Sequence, residues 1–224
     1  IYKTSIISEQ NRLWAGIAKE TAHQIGTPIT SLIGWVTLIK NKNKKETIDE
    51  IEKDIDRLKI ISDRFSKIGS IPILKNQNIY LIILDTINYL KSRSSKSIIW
   101  EINSNKKKIL APINSILFSW TIENLLVNSI DSVKGNGKIS ITIKNTDKYV
   151  NVYISDNGSG IKKFEIKNIF KPGYTTKKRG WGLGLSLSKR IIENYHRGKL
   201  NLKETKINFG STFEIELNKL YSKV

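Results

Sequence analysis

Asn124, Asn128 and Asp131 stand four and three residues apart in the run Glu123-Asn124-Leu125-Leu126-Val127-Asn128-Ser129-Ile130-Asp131. On a helix that spacing puts three polar side chains on one face, beside an apolar face carrying Leu125, Leu126 and Ile130. Oxygens lined up this way suit a hydrated Mg²⁺, which takes few protein ligands and keeps waters and phosphate oxygens. The exposed face of an amphipathic helix would show the same pattern. Further on, Asp156-Asn157-Gly158-Ser159-Gly160-Ile161 follows an apolar strand segment. As a β-turn it is ordinary turn chemistry. As a site, it sets a carboxylate at a strand end among glycines that let a flat ring approach the backbone. A carboxylate accepts from the amino group of adenine and repels the carbonyl oxygen of guanine, so such a site selects ATP over GTP. Gly180-Trp181-Gly182-Leu183-Gly184-Leu185 then opens a helical segment, and glycine turns there expose backbone N–H groups to phosphate. The stretch before it, Phe170 to Arg179, is basic and rich in hydroxyls, as a lid over polyphosphate would be.

The other reactive residue lies far upstream. His23, one of two histidines, sits in Thr21-Ala22-His23-Gln24-Ile25-Gly26-Thr27-Pro28. Pro28 removes the helical hydrogen bond to the Gln24 carbonyl and is expected to bend the helix beside His23. His196, before Arg197-Gly198 at a helix end, reads as structural.

Two modules are expected to carry these groups. Leu13, Ile17, Ile25, Leu32, Val36 and Ile39 recur at helical spacing, and so do Ile48, Ile51, Ile55, Leu58, Ile61, Phe65 and Ile68. The polar run Asn41 to Lys45 joins them into a helical hairpin. A hairpin alone leaves apolar stripes uncovered, so an all-α dimeric four-helix bundle is the natural solution. Gly69-Ser70-Ile71-Pro72 breaks the second helix, and the boundary between residues 1–70 and 71–224 falls there. Beyond it, helices are expected over Ile79–Lys91, Ile113–Val133 and Leu185–Tyr195. Strands are expected over Ser97–Ile102, Lys107–Ala111, Lys138–Lys144, Tyr149–Ser155, Lys199–Lys203 and Thr212–Leu217. Such a mixture implies an α+β two-layer sandwich.

Composition narrows the classes. At 224 residues, with 39% hydrophobic and 26% charged, the chain is long enough for two small globular domains. It has no Cys, which excludes disulfides and thiolate metal sites. The net charge of +18 comes from lysines scattered through nearly every segment, which speaks for compositional bias and against a nucleic-acid surface. The longest apolar runs are too short to cross a bilayer. The chain starts at Ile1 and has no Met, so it is expected to be a fragment whose missing N-terminal region carries any membrane part. A cytoplasmic location is expected.

Taken in order, these elements resemble the N box, first glycine box, F box and second glycine box of the ATP-binding domain of sensor histidine kinases. Gly210-Ser211-Thr212-Phe213 resembles that family's last glycine motif, and His23 to Pro28 resembles its phosphoacceptor motif. The likeness spans about residues 8 to 217. It implies a sandwich of the GHKL ATPase type (the fold of gyrase, histidine kinases and a heat-shock chaperone), with ATP and Mg²⁺ bound. It implies that Asn128 ligands the metal while Asn124 and Asp131 line the phosphate side. Asp156 would read adenine, with Gly158, Gly160 and Thr212 shaping its pocket. Lys177 and Lys178 would reach the β- and γ-phosphates from the lid, and Gly180, Gly182, Leu183 and Gly184 would form the hinge and phosphate cradle. His23 would take the γ-phosphoryl group and pass it to an aspartate of a response regulator receiver domain. Thr27, one turn on, would position water for regulator dephosphorylation.

Two departures matter. ATPases of the same fold place a water-activating Glu where this chain has Asn124, which favours transfer over hydrolysis. The phosphoacceptor motif commonly has an acidic residue after His, where this chain has Gln24. Gln24 can orient the Nδ1–H group but is no base. The rival readings are a nucleotide-binding scaffold with weak or no transfer, and another ATPase or protein kinase of this fold.

Overall fold

The computed structural model describes residues 21, 24–38, 44–68, 72–177 and 180–219. His23, Lys178 and the expected loop and hinge at 41–43 and 69–71 lie outside them. Residues 24–38 form helix α1, and Lys44–Ile68 form α2. Trp35 on α1 donates its indole N–H to Asp54 Oδ2 on α2 at 3.2 Å. Both helices leave large apolar side chains exposed, among them Ile29, Ile33, Val36, Ile48 and Ile55.

The remaining elements are β1 (Lys75–Asn78), α3 (Ile79–Lys91), β2 (Ile98–Ser104), β3 (Leu110–Ile113), α4 (Ser115–Val133), β4 (Gly137–Asn145) and β5 (Tyr149–Asp156). Next come α5 (Gly184–Arg190), a π-helical turn (Ile191–Tyr195), β6 (Lys199–Lys206) and β7 (Gly210–Asn218). Five strands form one sheet in the order β2-β4-β5-β7-β6. Only β2 and β4 pair in parallel there. Strand alternation aims Ile139, Ile141, Val150, Val152, Ile154, Ile215 and Leu217 at one face, where they are buried. Ile79, Ile83, Phe118, Ile122, Leu125 and Leu126 of α3 and α4 share that core. Burying each such side chain contributes roughly 1.5–3 kcal/mol. The sandwich is thus helices on one face of a mixed sheet, the α+β arrangement expected.

One expectation needs correction, and one strand was not expected at all. The strand expected at Lys107–Ala111 begins only at Leu110 and runs to Ile113. It pairs antiparallel with β1, which the sequence pattern does not announce because Lys-Asn-Gln-Asn carries no apolar alternation. Asn78 explains the order there: its Oδ1 caps α3 by accepting from Tyr80 N and also accepts from Ile109 N, and its Nδ2 donates to Lys107 O.

His196 locks the far end of the last helical segment to α4. Its Nε2 accepts from Asn114 N at 3.0 Å, its Nδ1 meets Ile191 O at 2.9 Å, and the ring is only 4% exposed. Burial holds the imidazole below its ordinary pKa of 6.5, against the raising effect of the Ile191 carbonyl. A depressed native pKa means the stabilisation is fully present above the unfolded value and is lost as pH falls through the native one. Urea midpoints measured at pH 7.5 and 5.5 should therefore fall on acidification, and a His196→Gln variant should show a shallower fall.

Candidate active site

α4, the end of β5, the lid segment and the start of α5 line a cavity of about 620 Å³. One end is built on β5. Asp156 Oδ1 accepts from Ser132 Oγ of α4 at 3.0 Å and from Gly158 N at 2.9 Å. Burial raises the carboxyl's pKa above the usual carboxylate value, and the hydrogen bonds from Gly158 N–H and Ser132 Oγ oppose the rise. Ser129 Oγ, buried alongside, makes no direct hydrogen bond to protein of normal geometry. A carboxylate already fixed by two donors, with a buried hydroxyl beside it, is a polar spot prepared for a ligand. Ile161, Ile169 and Phe213 supply its apolar walls.

At the other end, Asn128 and Asp131 lie one turn apart on α4 and already hold a cation. Lys177 Nζ lies 2.8 Å from Asn128 Oδ1 and 2.5 Å from Asp131 Oδ2. These oxygens therefore fit a cationic guest. A neutral amide and a single carboxylate suit Mg²⁺ that keeps most of its own waters and phosphate ligands. Asn124 lies one turn earlier and lines the same cavity. Its Nδ2 donates to Ser188 Oγ at 3.2 Å and to Gly184 O at 3.4 Å, tying α4 to the start of α5.

Gly180, Gly182, Leu183 and Gly184 line the cavity where the lid segment returns to α5. Gly182 has φ 67°, and a Cβ there would fall 2.5 Å from Tyr174 O, so only glycine fits. Gly173 N donates to Gly182 O at 3.0 Å and closes the base of the lid.

Gly158 does a different job from the one expected of it, while Gly160 does line the cavity. A Cβ at Gly158 would strike Ser132, and one at Gly160 would strike the Lys206 backbone. They let the turn approach α4 and the β6–β7 hairpin, and Gly158 does not line the cavity. Thr212 is a further correction. Strand alternation turns its side chain to the opposite sheet face, where Oγ1 meets Ser155 Oγ at 2.9 Å and Glu204 Oε1 at 3.3 Å. Its neighbour Ser211, directly opposite Asp156 in the ladder, lines the cavity with Phe213. The pairing of alternate residues across strands was the available signal for Ser211.

On the helical side, Gln24 and Arg64 reach the same cavity, joining Trp120 and Glu123 of α4. Thr27 is exposed on α1. Arg64 and Glu123 had no signal in the sequence, since 59 residues separate them.

Residues 114–220 match the family described as histidine kinase-, DNA gyrase B-, and HSP90-like ATPase. The chain is 28% identical over 214 residues to the signal transduction histidine-protein kinase AtoS of Escherichia coli (strain K12), covering 92% of the chain and 34% of AtoS. It is 28% identical over 224 residues to sporulation kinase E of Bacillus subtilis (strain 168), covering 96% of the chain and 29% of that kinase. The catalytic domain of the histidine kinase ThkA superposes with a TM-score of 0.60 at 28% identity, over 65% of this chain and 95% of that domain. ThkA in complex with the response regulator protein TrrA gives a TM-score of 0.61 at 24% identity, over 98% of this chain and 67% of that one, a likeness of fold. Residues 114–220, just under half of the chain, match this ATPase family, and over most of its length the chain is similar to histidine kinases. It spans about a third of the length of the curated relatives it matches.

Proposed function

We propose that this chain transfers the γ-phosphoryl group of ATP to His23 and then to an aspartate of a response regulator. The carrying observation is one cavity that joins Gln24, the neighbour of His23, to Asn128, Asp131, Asp156 and the glycine-lined lid. Asp156 accepts from the adenine amino group. Lys177 would turn from Asn128 and Asp131 to the polyphosphate oxygens, and Asn128 would hold Mg²⁺. Bound there, Mg²⁺ supplies neutralisation of the phosphate charge.

His23 attacks through Nε2. The bond from Nε2 to the γ-phosphorus forms as the bond to the β,γ-bridging oxygen breaks, and ADP departs. The imidazole then sheds its Nδ1 proton to water or to Glu20, because the Gln24 amide orients that N–H group without accepting its proton. Asn124 offers no base to water, so ATP persists until His23 arrives. Thr27 serves the reverse chemistry, holding water against the regulator's aspartyl phosphate. The exposed Ile29, Ile33, Val36, Ile48 and Ile55 of α1 and α2 support a homodimer of these hairpins that would cover them, and we place the domain boundary at residues 70–71. The TrrA complex of ThkA supports a regulator as partner. Among the described residues no helix is long and apolar enough to cross a membrane, and we place this portion in the cytoplasm.

The test is incubation with Mg²⁺ and γ-labelled ATP. Acid-labile, base-stable label should form on the wild type. Asn128→Ala should lower its initial rate about 100-fold, since the site loses its metal ligand. Acid-stable label would mark a serine/threonine kinase, and ATP binding without any label would mark a scaffold.

A further inference from the structure

Arg64 on α2 and Glu123 on α4 form a hydrogen-bonded ion pair through Nη2 and Oε2. Their side chains are 15% and 24% exposed, so the pair is largely shielded from solvent, unlike the ion pairs on the outer strands. The guanidinium carbon also stands 5.4 Å from the centre of the Trp120 ring. Trp120, Glu123 and Asn124 follow one another at spacings of three and four from Trp120, which makes them one stripe of α4. The stripe continues to Asn128. One planar cation thus grips, by charge and by stacking, the helix that holds the nucleotide-binding polar groups. All of these residues line the cavity that Gln24 also lines.

We infer that Arg64 is a positioning residue: its grip on Glu123 and Trp120 sets α1 and α2 against the ATP domain so that Gln24 lines the same cavity as Asn128 and Asp131. It rests on the reading of the chain as an autophosphorylating kinase. Arg64 acts through the seating of α1 and α2 and makes no bond to the reacting atoms. Approach geometry is what such a seat governs, and a displacement of an ångström costs a transfer reaction on the order of 100-fold. Nucleotide binding needs only the ATP domain and should be indifferent to it. Lysine cannot replace arginine, because an ammonium lacks both the fork and the plane.

The experiment uses the whole chain. Arg64→Ala and Arg64→Lys should each lower the labelling rate at saturating ATP by about tenfold or more, with KM for ATP within about threefold of wild type. The exchanged pair Arg64→Glu with Glu123→Arg should recover most of the Arg64→Ala loss. An unchanged rate, a faster rate, a loss confined to KM, or no recovery in a folded exchanged pair would each overturn the proposal. A readout free of catalysis accompanies it. The chain lacks Cys, so Lys59→Cys on α2 and Asp147→Cys in the β4–β5 turn give one pair of spin-label sites per protomer, read in dimers diluted with excess unlabelled wild-type chain. The distance distribution between them should be narrow with Arg64 present and broad in Arg64→Ala. A distribution equally broad in both overturns the seat, whether or not label is transferred. Absence of label in wild type alongside a narrow, Arg64-dependent distance instead rejects the kinase reading and leaves the seat standing.

Discussion

His23→Gln should reduce acid-labile phosphorylation to below about a thousandth of the wild-type rate while leaving ATP affinity unchanged. The size of the effect follows from the absence of a substitute. The chain has two histidines, and the second is spent on structure. His196 is 4% exposed, with one nitrogen accepting from Asn114 N and the other against Ile191 O. Neither nitrogen is available for in-line attack unless the α4 N-terminus comes apart. Glutamine keeps length and hydrogen bonding but has no nucleophilic nitrogen at neutral pH. Labelling with γ-labelled ATP beside a fluorescent-nucleotide titration separates the two quantities. Substantial base-stable label in the variant would move the acceptor away from His23.

Gly210→Ala should unfold the nucleotide end of the sandwich. Gly210 has φ 103°, a region that side chains rarely enter, and an added Cβ would overlap the carbonyl oxygen of Asp156. Backbone strain and overpacking together cost about 3–5 kcal/mol. A domain of this size is stable by only about 5–15 kcal/mol, so a large share is lost. The clash also falls on the strand end that presents Asp156, so what remains folded should bind nucleotide poorly. Urea denaturation and nucleotide titration would register both losses. A variant with wild-type midpoint would show that the β5–β7 ladder tolerates a shift at its end. The contrast with Gly180 is instructive: φ there is 110°, but among the described residues no atom lies within 4 Å of an added Cβ, so there a side chain meets backbone strain.

Local periodicity carried most of what the sequence disclosed. Asn124, Asn128 and Asp131 share one stripe of α4 because helical spacing leaves no alternative, and their approach to Asp156 follows once strand and helix pack. The ladder strands β4, β5 and β7 were legible from alternating isoleucines, valines and polar residues. What stayed hidden was non-local or carried by polar side chains. β1 has no hydrophobic signature and exists because Asn78 and its partner β3 satisfy its backbone. Thr212 and Ser211 are adjacent hydroxyls, and only the pairing of β7 with β5 decides which one faces the site. The helix expected to run unbroken from Leu185 to Tyr195 turns π-helical at Ile191, where the His196 backbone N–H reaches Ile191 O. Arg64 meets Glu123 through the relative placement of two modules, which no spacing along the chain encodes.

The strand order has a bearing on when, during synthesis, such a catalyst comes into being. α4 is the crossover between the parallel strands β2 and β4, yet the wall opposite Asp156 is β7, the last strand of the sheet and one inserted between β5 and β6. A ribosome that has delivered α1, α2 and every polar group of α4 has still not delivered Ser211 and Phe213. On the proposed reading, the nascent chain holds its nucleophile long before it holds a finished pocket, and the direction of translation alone defers self-modification.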